Sequence, residues 1–219
     1  MVFIRKILLV FVGTLLILMT AACVIVPIDP DAGDGPVGSA VAQAVDVESY
    51  LEEYWQAYIH PEINDRRVNL ATLIQTASSD SWDYAGETYG EIRGDIGASY
   101  AFITYGTAIV KETNTESRNG FIIVELEGQE SYEIRISIGP ALSGTAIRDS
   151  IRFIDFNQFV NQVDFAKLAT ELNRIGNERA QENNDIFAMD GKTIEFTGAF
   201  TAPNGSETIS IMPIFLEVK

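Results

Sequence analysis

The residues best equipped for chemistry lie in residues 139–173, directly after the clearest strand pattern in the chain. Thr145, Arg148 and Asp149 are followed by Asn157, Gln158, Asn161 and Gln162, with Phe153, Phe156 and Phe159 among them. Amides, a guanidinium and a carboxylate supply paired donors and acceptors, and aromatic rings supply flat apolar faces. That combination suits a carbohydrate. The plainer alternative is that Arg148 pairs with Asp149 or Asp155 while the amides satisfy backbone groups of an irregular connection, which cannot stay unpaired when buried. A third reading takes Asp149 and Asp155 as a glycosidase pair. With 31 acidic residues in the chain, such neighbours arise by coincidence. The structural alternative is preferred, and no catalytic constellation stands out; the chain does not read as an enzyme.

Scarcity narrows the rest. Cys23 is the only cysteine and His60 the only histidine. A disulfide within the chain is impossible, as is a zinc site of four Cys or of paired Cys and His within one chain. Any triad would have to use His60, which beside Pro61 reads as a helix-end residue. A phosphate-binding glycine loop of the required form is missing, so no metal or cofactor is expected. The formal charge of −16 disfavours phosphate backbones and anionic lipid head groups, which argues against a nucleic-acid partner.

Cys23 has a different chemistry. It follows a basic start (Arg5, Lys6), an apolar run over 7–19 and the small residues Thr20, Ala21 and Ala22. This is the pattern of a secretory signal, and the apolar run falls short of the roughly 20 residues of a bilayer span. Small residues ending at a cysteine resemble the bacterial lipobox, with Thr20 departing from the usual Leu. Residues 1–22 are therefore expected to be a lipoprotein signal peptide, and Cys23 the acylated residue through which the chain is anchored to a membrane. Removal of Arg5 and Lys6 would take the charge two units down to −18. Residues 23–44, rich in Pro and Gly, read as the lipidated Cys and a flexible tether.

The elements that must position the connector read as follows. Val47, Tyr50, Leu51, Tyr54, Trp55, Tyr58 and Ile59 fall at helical spacing behind Asp46 as a cap, and Pro61 is expected to end or kink that helix. Its aromatic stripe is read as core rather than as a ligand platform. Asn69 caps a second helix over 70–76, and residues 79–89 form a third. Residues 45–98 thus make a helical region. Strands follow at 99–111, where Gly106 suggests a bulge or a sharp bend, and at 121–126 and 132–138; two more come at 192–200 and 207–218, where Pro213 implies a bulge or an edge. Between the third and fourth strands Asp155 caps a short run with Phe156, Phe159, Val160 and Val163 inward, and Asp164 caps a longer helix. Three strands, a helix and two strands are the succession of a five-stranded Greek-key barrel of the OB type over 99–219, in an α+β chain. An open antiparallel sheet packed on helices is the alternative.

The runs GTAIRD and FNQFVNQ (144–149 and 156–162), with the start CVIVPIDP and the tail GKTIEFTGAF and ISIMPIFLEV, resemble an uncharacterised family of predicted bacterial periplasmic lipoproteins, domain of unknown function 2291. The resemblance spans the whole secreted part. It implies an OB-like barrel, an extracytoplasmic place and, from the neighbourhood of sugar uptake genes, a binding or accessory role beside a sugar transporter. It implies no activity and carries over no catalytic residue. A structural or assembly lipoprotein without a small-molecule ligand remains the other reading.

Overall fold

A computed structural model describes residues 46–94, 98–182 and 184–219. The export segment, Cys23 and the tether lie outside the described residues. Helix α1 (Val47–Tyr54) starts where the spacing requires, with Asp46 accepting from the Ser49 amide at 3.1 Å and the Ser49 hydroxyl at 2.6 Å. Chiefly the hydroxyl, then the amide, hold the Asp46 carboxyl below its usual range. Pro61 does not end the helix. The chain passes through one π-helical segment, Trp55–Ile59, and continues as α2 (His60–Arg66). The His60 amide reaches back to the Trp55 carbonyl, and this widened turn accommodates a residue that has no N–H and would crowd a regular turn. His60 consequently sits at a junction inside the helical run rather than at its end.

A two-residue strand, β1 (Val68–Asn69), leads into α3 (Leu70–Ser79), capped by Asn69 as expected, and α4 (Trp82–Tyr89), capped by Ser81. Gly86 is required there, because a Cβ would stand 2.2 Å from the Tyr100 ring. After β2 (Glu91–Ile92) comes β3 (Tyr100–Asn114), followed by β4 (Phe121–Glu125) and β5 (Glu133–Ser137). The connector holds α5 (Ala146–Ser150), a 3-10 turn (Phe156–Gln158) and α6 (Gln162–Gln181). Strands β6 (Thr193–Thr201) and β7 (Thr208–Val218) complete the chain.

The sheet closes. The strands run β3–β4–β5–β7–β6, and β6 pairs back onto β3 from Ala101↔Thr201 to Ile109↔Thr193, so the open-sheet alternative is set aside. Strand β3 serves both halves: its first part pairs with β6 and its last part with β4, as a small barrel with one long shared strand requires. No bulge interrupts the strand at Gly106, where pairing with β6 runs unbroken. Gly106 is there because the Phe196 ring would lie 2.9 Å from a Cβ. The register slips instead between Val110 and Glu112. On β7 the expected bulge does appear at Pro213, since Gly198 pairs with Pro213 while Thr197 pairs with Phe215.

Two cores flank the barrel wall. Ile122, Val124, Ile134, Ile136, Ile194, Phe196, Ile209 and Ile211 fill the interior, closed at one end by Phe102, Phe200 and the helices α3 and α4. Outside, α1, α2, α5 and α6 bury Leu51, Trp55, Ile59, Ile147 and Leu172 against Ile103, Ala199, Met212 and Ile214. Residues 196–200 and 211–214 are therefore buried on both faces. The aromatic stripe of α1 is core at Tyr50 and Trp55, while Tyr58 is 55% exposed.

Candidate functional site

The connector's polar residues serve mostly as local bonding partners. Arg148 donates to Asp149 Oδ1 at 2.8 Å and to the Phe165 carbonyl at 3.0 Å, and its guanidinium lies 3.8 Å from the Phe165 ring centroid. The Thr145 hydroxyl donates to the other oxygen of Asp149. Asp155 is the N-cap of the 3-10 turn, accepting from the Asn157 amide and side chain at 2.8 and 2.7 Å, while Gln158 Oε1 accepts from the Asp155 amide at 2.9 Å. That is a capping box. Asn161, not Asp164, caps α6: its Oδ1 accepts from the amides of Val163 and Asp164, and its Nδ2 donates to Asp164. Gln162 is exposed in the first turn. Of the apolar residues expected to point inward, only Phe159 does; Phe156, Val160 and Val163 are 42%, 47% and 74% exposed. A 3-10 turn followed by an extended residue does not keep helical spacing, so the four do not share one face.

The front of the connector is clamped by the helical region. Arg66 bridges Glu62 at 3.0 Å and Glu91 at 2.6 Å and donates to the Ser150 carbonyl at 2.7 Å. Arg93 donates to the carbonyls of Asp149, Ile151 and Arg152, and Glu62 accepts from the Arg152 amide at 2.7 Å. From the other side, Asn173 and Asn177 of α6 donate to the carbonyls of Gly144 and Gly139. Carbonyls of an irregular, partly buried segment are thus met by side chains.

These contacts fix one wall of a cleft of about 390 Å³ that the sequence did not single out. Its floor is the outer face of β4, β5 and β7. Phe121 pairs across from Ser137, and Arg135 across from Ser210. The rim is Asn119 from the β3–β4 turn, Ser143 to Ala146 from the connector, and Thr201 and Thr208 on either side of the β6–β7 turn. Six hydroxyls, those of Ser137, Ser143, Thr145, Thr201, Thr208 and Ser210, line the cleft together with one ring, Phe121. Among the described residues only Thr145 spends its hydroxyl on another side chain within this set's surroundings. The one cation lining the cleft among the described residues, Arg135, is neutralised by Glu133 at 2.5 Å and stands 4.5 Å from the Phe121 centroid. The cleft is polar, locally neutral and has a flat apolar patch, which is the chemistry expected for the cluster from Thr145 to Gln162 but built mostly from other residues. Of the predicted cluster, only Thr145 reaches it. Alternation along β5 sets Arg135 and Ser137 on its outer face, opposite the buried Ile134 and Ile136. The partner it lacked was β7, whose parallel pairing with β5 brings in Ser210.

No group of three or more His, Cys, Asp or Glu stands together as a metal site among the described residues, and no described helix is long and apolar enough to cross a membrane.

Comparison with known proteins agrees with this architecture. The family model described as predicted periplasmic lipoprotein (DUF2291) matches residues 14–217. No curated protein matches. Among solved structures, an OB-fold protein from Thermotoga maritima superposes with a TM-score of 0.63 at 19% identity, covering 81% of this chain and 100% of that one. At that identity the likeness concerns the fold.

Proposed function

We propose, for a chain that belongs to the predicted periplasmic lipoprotein family (DUF2291), that it is a lipid-anchored saccharide-binding protein whose ligand lies in the cleft over β4 and β5. Membership puts the protein on the extracytoplasmic side, in association with a membrane. Cys23 is the residue that carries the lipid in this reading, because small residues lead directly to it and no other thiol exists.

The observation that carries the ligand class is the set of hydroxyls lining the cleft with Phe121. The second and third strands of an OB barrel, with the loops between strands one and two and between strands four and five, are where such folds take oligonucleotides or oligosaccharides. That is a fold-level analogy, and the local chemistry decides between the two. A chain at −16 whose cleft holds, among the described residues, only the paired cation Arg135 repels a phosphodiester. Neutral sugars need many single hydroxyl and amide partners and one flat face, which Ser137, Ser210, Asn119 and Phe121 offer. The protein then acts as a binding or accessory component beside a sugar uptake transporter and is not an enzyme: the Asp149 carboxylate is engaged by Arg148 and Thr145, and Asp155 caps a turn.

The test is calorimetry on the full chain in detergent with neutral hexoses and their short oligomers. Binding is expected, and Phe121→Ala should weaken it about tenfold, the loss expected for removing a stacking face. Absence of binding across the panel sinks the proposal. The structural reading is supported by one feature, the capping role of Asn157 and Asn161; it predicts that altering these amides changes stability alone.

A further inference from the structure

A second concavity, of about 700 Å³, also lies outside the barrel and shares no lining residue with the saccharide cleft. It runs between the π-helical segment, the C-terminal half of α6 and the outer face of β6 and β7. Its notable residues are Trp55, Arg67, Arg179, Thr197 and Phe215. Several features of this groove are unexpected in a chain with twice as many acids as bases.

Neither Arg67 nor Arg179 has a carboxylate within ion-pair distance among the described residues, as is also true of Arg93 and Arg118, whereas Arg66, Arg135, Arg148, Arg152 and Arg174 all do. Instead each is held over a ring. Arg67 sits 5.2 Å from the Tyr105 centroid and donates to the Thr197 hydroxyl at 3.2 Å, and Arg179 sits 4.4 Å from the Trp55 centroid. Of the acids on the same groove, Glu217 is occupied by Lys219 at 3.1 Å, leaving Glu182 against two guanidiniums. The Trp55 indole N–H is buried and has no acceptor among the described residues, a state that costs free energy unless something compensates it. Trp55 opens the π-helical segment, a distortion that recurs at functional sites. Phe215, 46% exposed, adds apolar surface to the same groove.

We infer that this groove is a second binding site, for a small organic anion that presents a carboxylate beside a ring or apolar face. Guanidiniums recognise a carboxylate by their paired N–H groups, and a guanidinium kept on a ring is pre-positioned and only weakly hydrated. The carboxylate takes N–H donors from Arg67 and Arg179. As Arg179 turns toward it, the Trp55 N–H gains an acceptor. The body of the ligand lies against Phe215.

The probe is cyclohexanecarboxylate, with cyclohexanol as its neutral counterpart and inorganic phosphate as a bare anion, titrated into the full chain in detergent. Trp55 reports directly once the other tryptophan is replaced (Trp82→Phe), and calorimetry on the unaltered chain gives a readout that does not depend on that variant folding. Expected are saturable quenching of Trp55 and measurable heat with cyclohexanecarboxylate, neither with cyclohexanol, and affinity lowered about tenfold or more in each of Arg67→Gln and Arg179→Gln, with melting temperatures near that of the parent. Silence toward cyclohexanecarboxylate by calorimetry overturns the inference. So does equal binding of phosphate, or binding that both arginine variants retain in full.

Discussion

Asn161 and Tyr50 show how far single side chains decide matters here. Asn161 closes two of the orphan amides at the start of α6. Asn161→Ala is expected to lower stability by about 1 kcal/mol in chemical denaturation and to leave saccharide binding unchanged. A loss of binding at unchanged stability would return the connector amides to the ligand. Tyr50 is a buried phenol with no hydrogen-bond partner among the described residues, and burial first, then the neighbouring Tyr54, push its pKa up to about 12. Between about pH 10, where an unfolded tyrosine ionises, and about 12, the unfolded chain has released this proton and the folded chain still holds it. Fewer protons are bound in the unfolded state, so stability falls as pH rises through that window. Tyr50→Phe removes this contribution and the orphan hydroxyl with it. The variant should match or exceed the parent's melting temperature at neutral pH, and its melting temperature should decline less steeply between pH 10 and 12. A parallel decline in both proteins would show that Tyr50 does not hold its proton.

At the scale of elements, the barrel was legible wherever one face of a strand is wet. The alternation Ile134, Ile136, Ile138 against Arg135 and Ser137 gave β5 nearly to the residue. Around Gly198 and Pro213 both faces are covered, by the barrel interior and by α1 and α6, so β6 and β7 lose the alternation through those stretches. The site was less legible. Its floor joins β5 to β7 across more than 70 residues of sequence, and local patterning does not carry parallel pairing at that separation. The dense polar run at 157–162 drew attention because capping and recognition use the same side chains. Closeness of elements is itself testable. A Cβ at Gly176 would stand 2.4 Å from the Pro213 carbonyl, where α6 meets the β7 bulge. Gly176→Ala should cost about 1–3 kcal/mol by overpacking, despite alanine's better helix propensity. A stabilised variant would mean that α6 does not approach the barrel so closely.

The whole molecule combines an acidic surface, a closed OB ring and a membrane attachment. So acidic a chain is poorly suited to anionic head groups, which favours attachment through the hydrophobic anchor proposed above at Cys23. Cys23→Ala is accordingly expected to release the protein from the membrane fraction and to abolish palmitate labelling, with the fold of residues 46–219 unaffected by circular dichroism. Retention in membranes with undiminished labelling would place the lipid elsewhere.

The central claim is that the cleft over β4 and β5 holds a neutral saccharide. Backbone amide resonances of the full chain in detergent, followed during titration with neutral hexose oligomers, test it most directly. Shifts are predicted at Asn119, Phe121, Arg135, Ser137 and Ser210, with 157–162 unmoved. Shifts centred on 157–162, or none with any saccharide, would contradict it.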